Sequence, residues 1–327
     1  MKTGGITNET ARQMYERIRD GLLSFDVYTL CIMVVYTVIA VVYYPYITGA
    51  SAIILQNVMI SVAIAALILV WSISGHRLFE LMRRLYIIPV IYLMYDQVHS
   101  FVRVVHPKDY DELLIEVDRA VFGGDPTHML ASISTPVLTE YLQICYVLFY
   151  LLPILHAVDL WKSGDLDRLD QFIRAMTFCY FISYLAYFVM PAIGPRFTLH
   201  DYRNVHNDLP GLLLTPALRS FVDVGGGIPI GVADPVAAVH RDCMPSGHTW
   251  LTMVNIIMAF RFGSKSRWIF LVVGGSLIFS TVYLRYHYVV DILVGAILAL
   301  ITLPLEPFAN RLVSRLMHRL RCGKPLM

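Results

Sequence analysis

Runs of about twenty apolar residues recur along this chain, and that recurrence limits its fold more than any other feature. A helix needs roughly 20 such residues to cross a bilayer core, because each residue advances it by only about 1.5 Å. Candidate runs lie at 27–46, 51–73, 85–105, 137–160, 175–193, 248–260, 268–283 and 288–305. The last three are short or closely spaced. Of 327 residues, 57% are hydrophobic and 15% charged, whereas soluble domains carry about 25% charged residues. Such an apolar surplus calls for lipid as solvent. The expected fold class is all-α, a polytopic membrane helix bundle with about eight transmembrane helices.

Lys and Arg set the orientation, since they concentrate in short cytoplasmic loops. Lys2, Arg12, Arg17 and Arg19 precede the first run, and Arg77, Arg83 and Arg84 follow the second. Lys162, Arg168 and Arg174 follow the fourth, and Arg261, Lys265 and Arg267 the sixth. Arg311, Arg315, Arg319, Arg321 and Lys324 follow the eighth. The intervening loops are uncharged or lean acidic, as in Asp109, Asp111, Glu112, Glu116, Asp118 and Asp125. This alternation predicts cytoplasmic termini. The first segment lacks the apolar core and cleavage site of a signal peptide and reads as a tail, with a surface-lying amphipathic helix as one form of it. The four-residue recurrence of Arg311, Arg315 and Arg319 reads as anchoring on anionic lipid.

The expected organisation is a cytoplasmic tail at 1–26, a two-helix hairpin at 27–84, a six-helix core at 85–306 and a basic cytoplasmic tail at 307–327. Loops 106–136 and 194–247 of the core face away from the cytoplasm. A net charge of +2 gives no reason to expect nucleic acid. Of five cysteines, only Cys243 falls in an outside loop, so no structural disulfide is expected. No C-x-x-C or H-E-x-x-H pattern occurs, so no zinc site is expected.

Three polar features converge on the non-cytoplasmic ends of the runs. Gly194-Pro195-Arg196 follows the fifth, Arg241 to Thr249 enters the sixth, and Ser280 to Asp291 links the last two. Within Pro245-Ser246-Gly247-His248, Ser246 suits a helix N-cap, and Gly247 permits close backbone approach. Free N–H groups at a helix start attract phosphate, and His248 in the first turn can protonate a leaving oxygen. The plainer reading is a capped helix with an interfacial histidine. His287 and Asp291 are four apart and would share a helix face. The carboxylate would hold the imidazole tautomer and free its other nitrogen for attack on phosphorus; the plainer reading is a pair that staples two helices. Arg196 suits bidentate phosphate binding, or serves as a snorkelling anchor. Arg241 and Arg285 are further phosphate-binding candidates.

Together these residues resemble the type 2 phosphatidic acid phosphatase superfamily, whose patterns are an upstream basic element, P-S-G-H, and S-R-x5-H-x3-D. Pro245-Ser246-Gly247-His248 matches the second in full, and Ser280, His287 and Asp291 match the third at the right spacing. The resemblance covers the third to eighth runs and implies a six-helix phosphatase-like core. The family arginine after the serine is Thr281 here. Residues 281–291 look more like the inositol phosphorylceramide synthase branch, which also lacks that arginine; Arg285 is a candidate substitute. The segment Phe122-Gly123-Gly124-Asp125-Pro126 is similar to bacterial relatives of that branch.

The resemblance implies His287 as nucleophile, Asp291 as its orienting partner and His248 as proton donor to the leaving alkoxide. Arg196, Ser246, the Gly247 backbone, Arg285 and Arg241 would hold phosphoryl oxygens. No metal or other cofactor is implied. The expected partners are a lipid phosphate donor, a lipid hydroxyl or water as acceptor, and the surrounding membrane lipid. Three functions remain open: a phosphotransferase, a phosphatase acting on lipid phosphates or polyprenyl pyrophosphates, and a non-catalytic transporter or scaffold. Haloperoxidase chemistry on a related site fits a polytopic chain poorly. Elsewhere, 109–122 reads as an amphipathic helix lying on the membrane or as a lid, Asp118 and His128 as surface residues, and Gly225-Gly226-Gly227 as flexible loop.

Overall fold

The computed structural model describes residues 21–321. The expected tail up to residue 20, Cys322 and Lys324 lie outside the described residues. All regular elements among the described residues are helical. In chain order the longer ones are α1 (Ser24–Val42), α2 (Ala50–Ser74), α3 (Arg77–Leu85), α4 (Ile87–Val105), α5 (Asp111–Phe122), α6 (Pro136–Val147), α7 (Leu152–Ser163), α8 (Leu166–Ala186), α9 (Thr215–Gly225), α10 (Gly247–Phe262), α11 (Arg267–Tyr283) and α12 (Val289–Arg321). Each expected apolar run falls on one of these helices or on a consecutive pair.

Length and composition single out α1, α2, α3 with α4, and α12 as able to cross a membrane. A fifth span forms if Pro136–Tyr150 and Leu152–Ser163 count as one helix bent by 57°. The bend has a covalent cause: Pro153 lacks the N–H that would bond to the preceding turn, and its ring crowds that turn's carbonyl. The other three expected runs coincide with helices that miss either the length or the hydropathy of a span. α10 and α11 have 16 and 17 residues, about 25 Å against a hydrocarbon core of about 30 Å. α8 carries Asp167, Arg168, Asp170 and Arg174. α12 continues as one helix to Arg321, so the expected basic tail from residue 307 prolongs the last helix.

The chain divides into two compact units. One takes the chain up to Phe101, Ile173–Phe181 and the chain from Pro304 onward; the other takes Val102–Phe172 and Ile182–Leu303. In the first unit, buried charges are paired. Glu306, 2% exposed, accepts from Arg174 Nε at 2.5 Å and from the Tyr28 hydroxyl at 3.1 Å. Asp26 accepts from the Tyr86 hydroxyl at 2.5 Å, and Arg83 lies 4.0 Å from Asp26 and 4.3 Å over the Trp71 ring. Arg83 and Arg84, expected in the loop after the second run, lie buried on the helical α3.

In the second unit α11 packs against both α6 and α10, and α9 packs against α6. The buried Glu140 on α6 accepts the backbone N–H groups of Leu212, Leu213, Leu214 and Thr215 at 2.5–3.2 Å. This seats the long segment between α8 and α10, which contains α9. The Gly225-Gly226-Gly227 run, expected as flexible loop, closes α9: Gly226 N–H bonds to Val222 O at 2.8 Å, and His240 N–H bonds to Gly226 O at 2.9 Å.

Candidate active site

The site is assembled at three helix ends of the second unit. α10 starts as the motif predicts. Ser246 has extended backbone, and its hydroxyl accepts the Thr249 N–H at 3.3 Å. That satisfies one of the amides a helix start leaves open. Ser246 N–H donates to Asp291 O at 3.2 Å, tying this start to α12. The tie needs Gly295, where a Cβ would lie 2.6 Å from Ser246 O.

His287 is reached by a tight turn after α11. Arg285 takes a φ of 68°, and Thr281 O accepts the N–H groups of Tyr286 and His287 at 2.9 and 3.0 Å. His287 and Asp291 do approach, with Nδ1 3.4 Å from Oδ2, but not on one helix face as expected. His287 precedes α12, which begins at Val289. Asp291 is the third helical residue, and its carboxylate accepts the Tyr288 N–H at 2.9 Å, half of a capping box.

The tautomer of His287 has a second determinant. Its Nδ1 lies 2.8 Å from the carbonyl oxygen of Cys243. A carbonyl only accepts, so Nδ1 carries the proton and Nε2 keeps its lone pair. The Cys243 thiol donates to Asp291 Oδ2 at 2.9 Å. Burial, then the Asp291 charge, pushes that thiol well above its ordinary pKa, which keeps it protonated.

His248 lies in the first turn of α10, its ring 5.6 Å from that of His287. It stacks on Tyr146 at 4.5 Å and meets Phe149 at 4.4 Å, both beside the bend between α6 and α7. Its Nε2 is buried with no hydrogen-bond partner among the described residues. Tyr146 also stacks on Tyr286 at 4.4 Å.

Arg196 completes this wall. Its guanidinium lies 4.9 Å over Tyr286 and 4.6 Å over Phe197, and Nη1 donates to Asp223 at 2.5 Å. Burial opposes its charge, but Asp223 and the surrounding tyrosines outweigh that and hold its pKa above the usual value. Gly194 makes the turn, with a φ of 93° and with Tyr286 O 2.7 Å from where a Cβ would stand.

The other two candidate arginines are engaged elsewhere. Arg241 bonds to Asp109 at 3.3 Å and to Val239 O at 2.5 Å. Arg285 bonds to Asp208 at 2.8 Å.

Two acids outside the motifs hold the site from behind. On α5 the buried face carries Asp111 and Asp118 together with Leu114, so two acids share that face with one leucine of the amphipathic helix. Asp118, expected at the surface, is 3% exposed and accepts the N–H groups of Val289 and Val290 at 2.8 and 2.9 Å. It therefore caps α12 from outside. Asp111 accepts the N–H groups of Ile193 and Gly194 at 3.0 and 2.8 Å and the Tyr288 hydroxyl at 2.8 Å. Burial raises both carboxyls above their ordinary pKa, although the amides they accept pull the other way. Cys243, Asp111 and Asp118 carried no motif; only the acidic lean of 106–136 hinted at the last two.

The family profile of the PAP2 superfamily matches residues 112–305, well over half of the chain. The chain belongs to the PAP2 superfamily. The matched stretch contains every residue of the site except Asp111. A PA-phosphatase related-family protein of Dictyostelium discoideum is 27% identical over 206 residues, covering 56% of this chain and 33% of that protein. An inositol phosphorylceramide synthase of Candida albicans is 23% identical over 202 residues, covering 58% of this chain and 40% of that protein. The chain thus matches about a third and two-fifths of those relatives' lengths. No solved structure matches it. As a PAP2 superfamily member, the chain falls in a group that generally contains phosphatases and phosphotransferases, and its apolar helices suit a multi-pass membrane protein.

Proposed function

We propose that this protein is a membrane phosphotransferase that moves a phosphate or phosphorylated head group from a lipid-linked donor to a hydroxyl acceptor through a phosphohistidine. The observation that carries the reading is the tautomer of His287. Its Nδ1 is committed to the Cys243 carbonyl at 2.8 Å, which leaves the Nε2 lone pair for phosphorus. Nε2 attacks, the bond from phosphorus to the donor alcohol breaks, and His248, which takes up a solvent proton once the anionic donor lies beside it, gives that proton to the departing oxygen. The acceptor hydroxyl then attacks phosphorus, returns a proton to His248, and the phosphorus–nitrogen bond breaks. Arg196 and the N–H groups at the start of α10 offset the phosphoryl charge, with Asp223 yielding Arg196 to the incoming anion. Asp291 steadies the imidazolium-like charge on His287.

Transfer to an alcohol requires that water be kept from the phosphohistidine. His287 is 4% exposed, and its neighbour His248 packs against the rings of Tyr146 and Phe149, which favours an alcohol acceptor. The printed name of the Candida relative points the same way; that of the Dictyostelium relative supports hydrolysis as the second reading. The alternating basic loops support a site on the non-cytoplasmic face with both termini in the cytoplasm.

The test uses purified protein in vesicles with labelled phosphatidylinositol and either ceramide or diacylglycerol, following new phospholipid and free phosphate together. A labelled phospholipid product, lost in His287→Ala, is expected. Free phosphate alone would assign the protein to hydrolysis, and full activity in a folded His287→Ala would end the nucleophile assignment.

A further inference from the structure

The outward side of α9 reverses the pattern of a helix in water. A water-facing helix hides its apolar stripe and shows its charges. Arg219 and Asp223 are the charged residues of α9, and both turn inward. Arg219 is 4% exposed and donates to Leu209 O at 2.6 Å. Asp223 is held by Arg196 and by the Tyr202 hydroxyl, the latter at 2.9 Å. The exposed residues Leu214, Ala217, Phe221 and Val224 follow one another at helical spacing on the opposite side. Phe221 is 55% exposed, and Leu213, just before the helix, is 83% exposed. These leucines are held in place by their backbone. Glu140 accepts the N–H groups of Leu212, Leu213 and Leu214, so the main chain faces the protein and the side chains face out. The surface next to this face identifies its solvent. The Phe221 and Tyr150 rings meet edge to face at 5.8 Å. Tyr150, Leu151 and Leu155 are themselves exposed, on the bent helix pair that is long and apolar enough for a membrane span when counted as one.

We propose that the outward face of α9, with Leu212, Leu213 and Leu214, is a lipid-contact surface covered by the acyl chains of the bilayer. A contiguous exposed apolar patch marks an interaction site. Acyl chains cover such a patch without demanding hydrogen bonds, and this face offers none from its leucine, alanine, valine and phenylalanine side chains. The placement has a consequence for the site. Asp223 holds Arg196 from the inner face of the same helix, so about one helix diameter, roughly 10 Å, separates the lipid from the guanidinium. A lipid phosphate then reaches Arg196 sideways from the bilayer. The lipid surface stands on the structure of α9 alone; the lateral route rests on the reading of Arg196 as a phosphate-binding residue.

The deciding experiment places the purified, unaltered full chain in phosphatidylcholine vesicles that include a phosphatidylcholine with a diazirine on its acyl chain. After illumination, adducts are mapped by mass spectrometry. Adducts on Leu213 and Phe221 are expected, at a yield like that on Leu55, an exposed residue of the membrane-spanning α2. Labelling of Leu55 without labelling of residues 212–224 would overturn the proposal. Hydroxyl-radical oxidation of Phe221 would then assign the face to water, and cross-links between two copies of the chain would assign it to self-association. The lateral route is read from Phe221→Asp, which should raise KM for the lipid donor in vesicles by at least about tenfold, because a charge among acyl chains is costly, and leave the turnover number unchanged. The donor is phosphatidylinositol in the transfer assay, or phosphatidate if the protein proves to be a hydrolase. Adducts on α9 with an unchanged KM would keep the lipid surface and refute the lateral route.

Discussion

Removing the Asp118 carboxylate should loosen the start of α12 and with it the turn that carries His287. Asp118 accepts two backbone N–H groups, from Val289 and Val290, at a helix start that has few other acceptors. A hydrogen bond to a charged group contributes about 1.5–3 kcal/mol, and loss of a helix cap costs about 0.5–2 kcal/mol. Relief of the buried carboxylate's desolvation offsets part of that. Asp118→Ala should therefore weaken this helix start by about 2–4 kcal/mol. In hydrogen exchange, a factor of ten corresponds to about 1.4 kcal/mol, so the amides of Val289 and Val290 should exchange roughly 30- to 1,000-fold faster. Asp118→Asn keeps one acceptor oxygen and should recover about half of the effect. Because Asp118 acts through His287 and Asp291, the turnover number should fall while KM for the lipid donor changes little. Unchanged exchange at Val289 and Val290, or faster exchange with full turnover, would refute the claim that this carboxylate positions the nucleophile.

Gly295→Ala drives a methyl to within 2.6 Å of Ser246 O, so it should separate α12 from the start of α10 and lower the melting temperature, with about 1–3 kcal/mol of overpacking. A melting curve superimposable on that of the unaltered chain would contradict the close approach. His248→Ala should slow release of an alkyl alcohol by about 10²–10⁴-fold and release of nitrophenolate far less; equal losses would remove His248 from the role of proton donor. His200 has its pKa lowered to about 4 by burial and then by Arg285. The unfolded chain takes up this proton near pH 6.5, so the associated stability is complete above pH 6.5 and is lost on acidification towards pH 4. Allowing for solvent screening of a partly exposed ring, the loss is about 1–2 kcal/mol, and His200→Asn should flatten that part of the unfolding profile.

Local signals in the sequence carried far. Apolar runs marked the helices, the serine before Gly247 marked the start of α10, and spacing brought His287 near Asp291. Their failures are physical too. Periodicity cannot tell that His287 stops short of the helix, because Arg285 adopts a left-handed turn that only tertiary contacts make worthwhile. The acids of α5 looked solvated because acids usually are. The amides that bury Asp111 and Asp118 come from segments about 80 and 170 residues away. The Cys243 carbonyl is invisible to any side-chain motif, since backbone groups have no letter of their own. Charge counting likewise places Arg83 in a loop but is silent on its partner, Asp26.

The two carboxylates of α5 stand seven residues apart, about two turns or 10.5 Å along one rod. One grips the turn before Arg196, the other the turn that presents His287. A single rod thus works as a caliper between the segments of Arg196 and His287. One residue inserted between them would swing the jaws about 100° out of line. Arg196 and His287 would then lose their common gauge even with every side chain of the site intact.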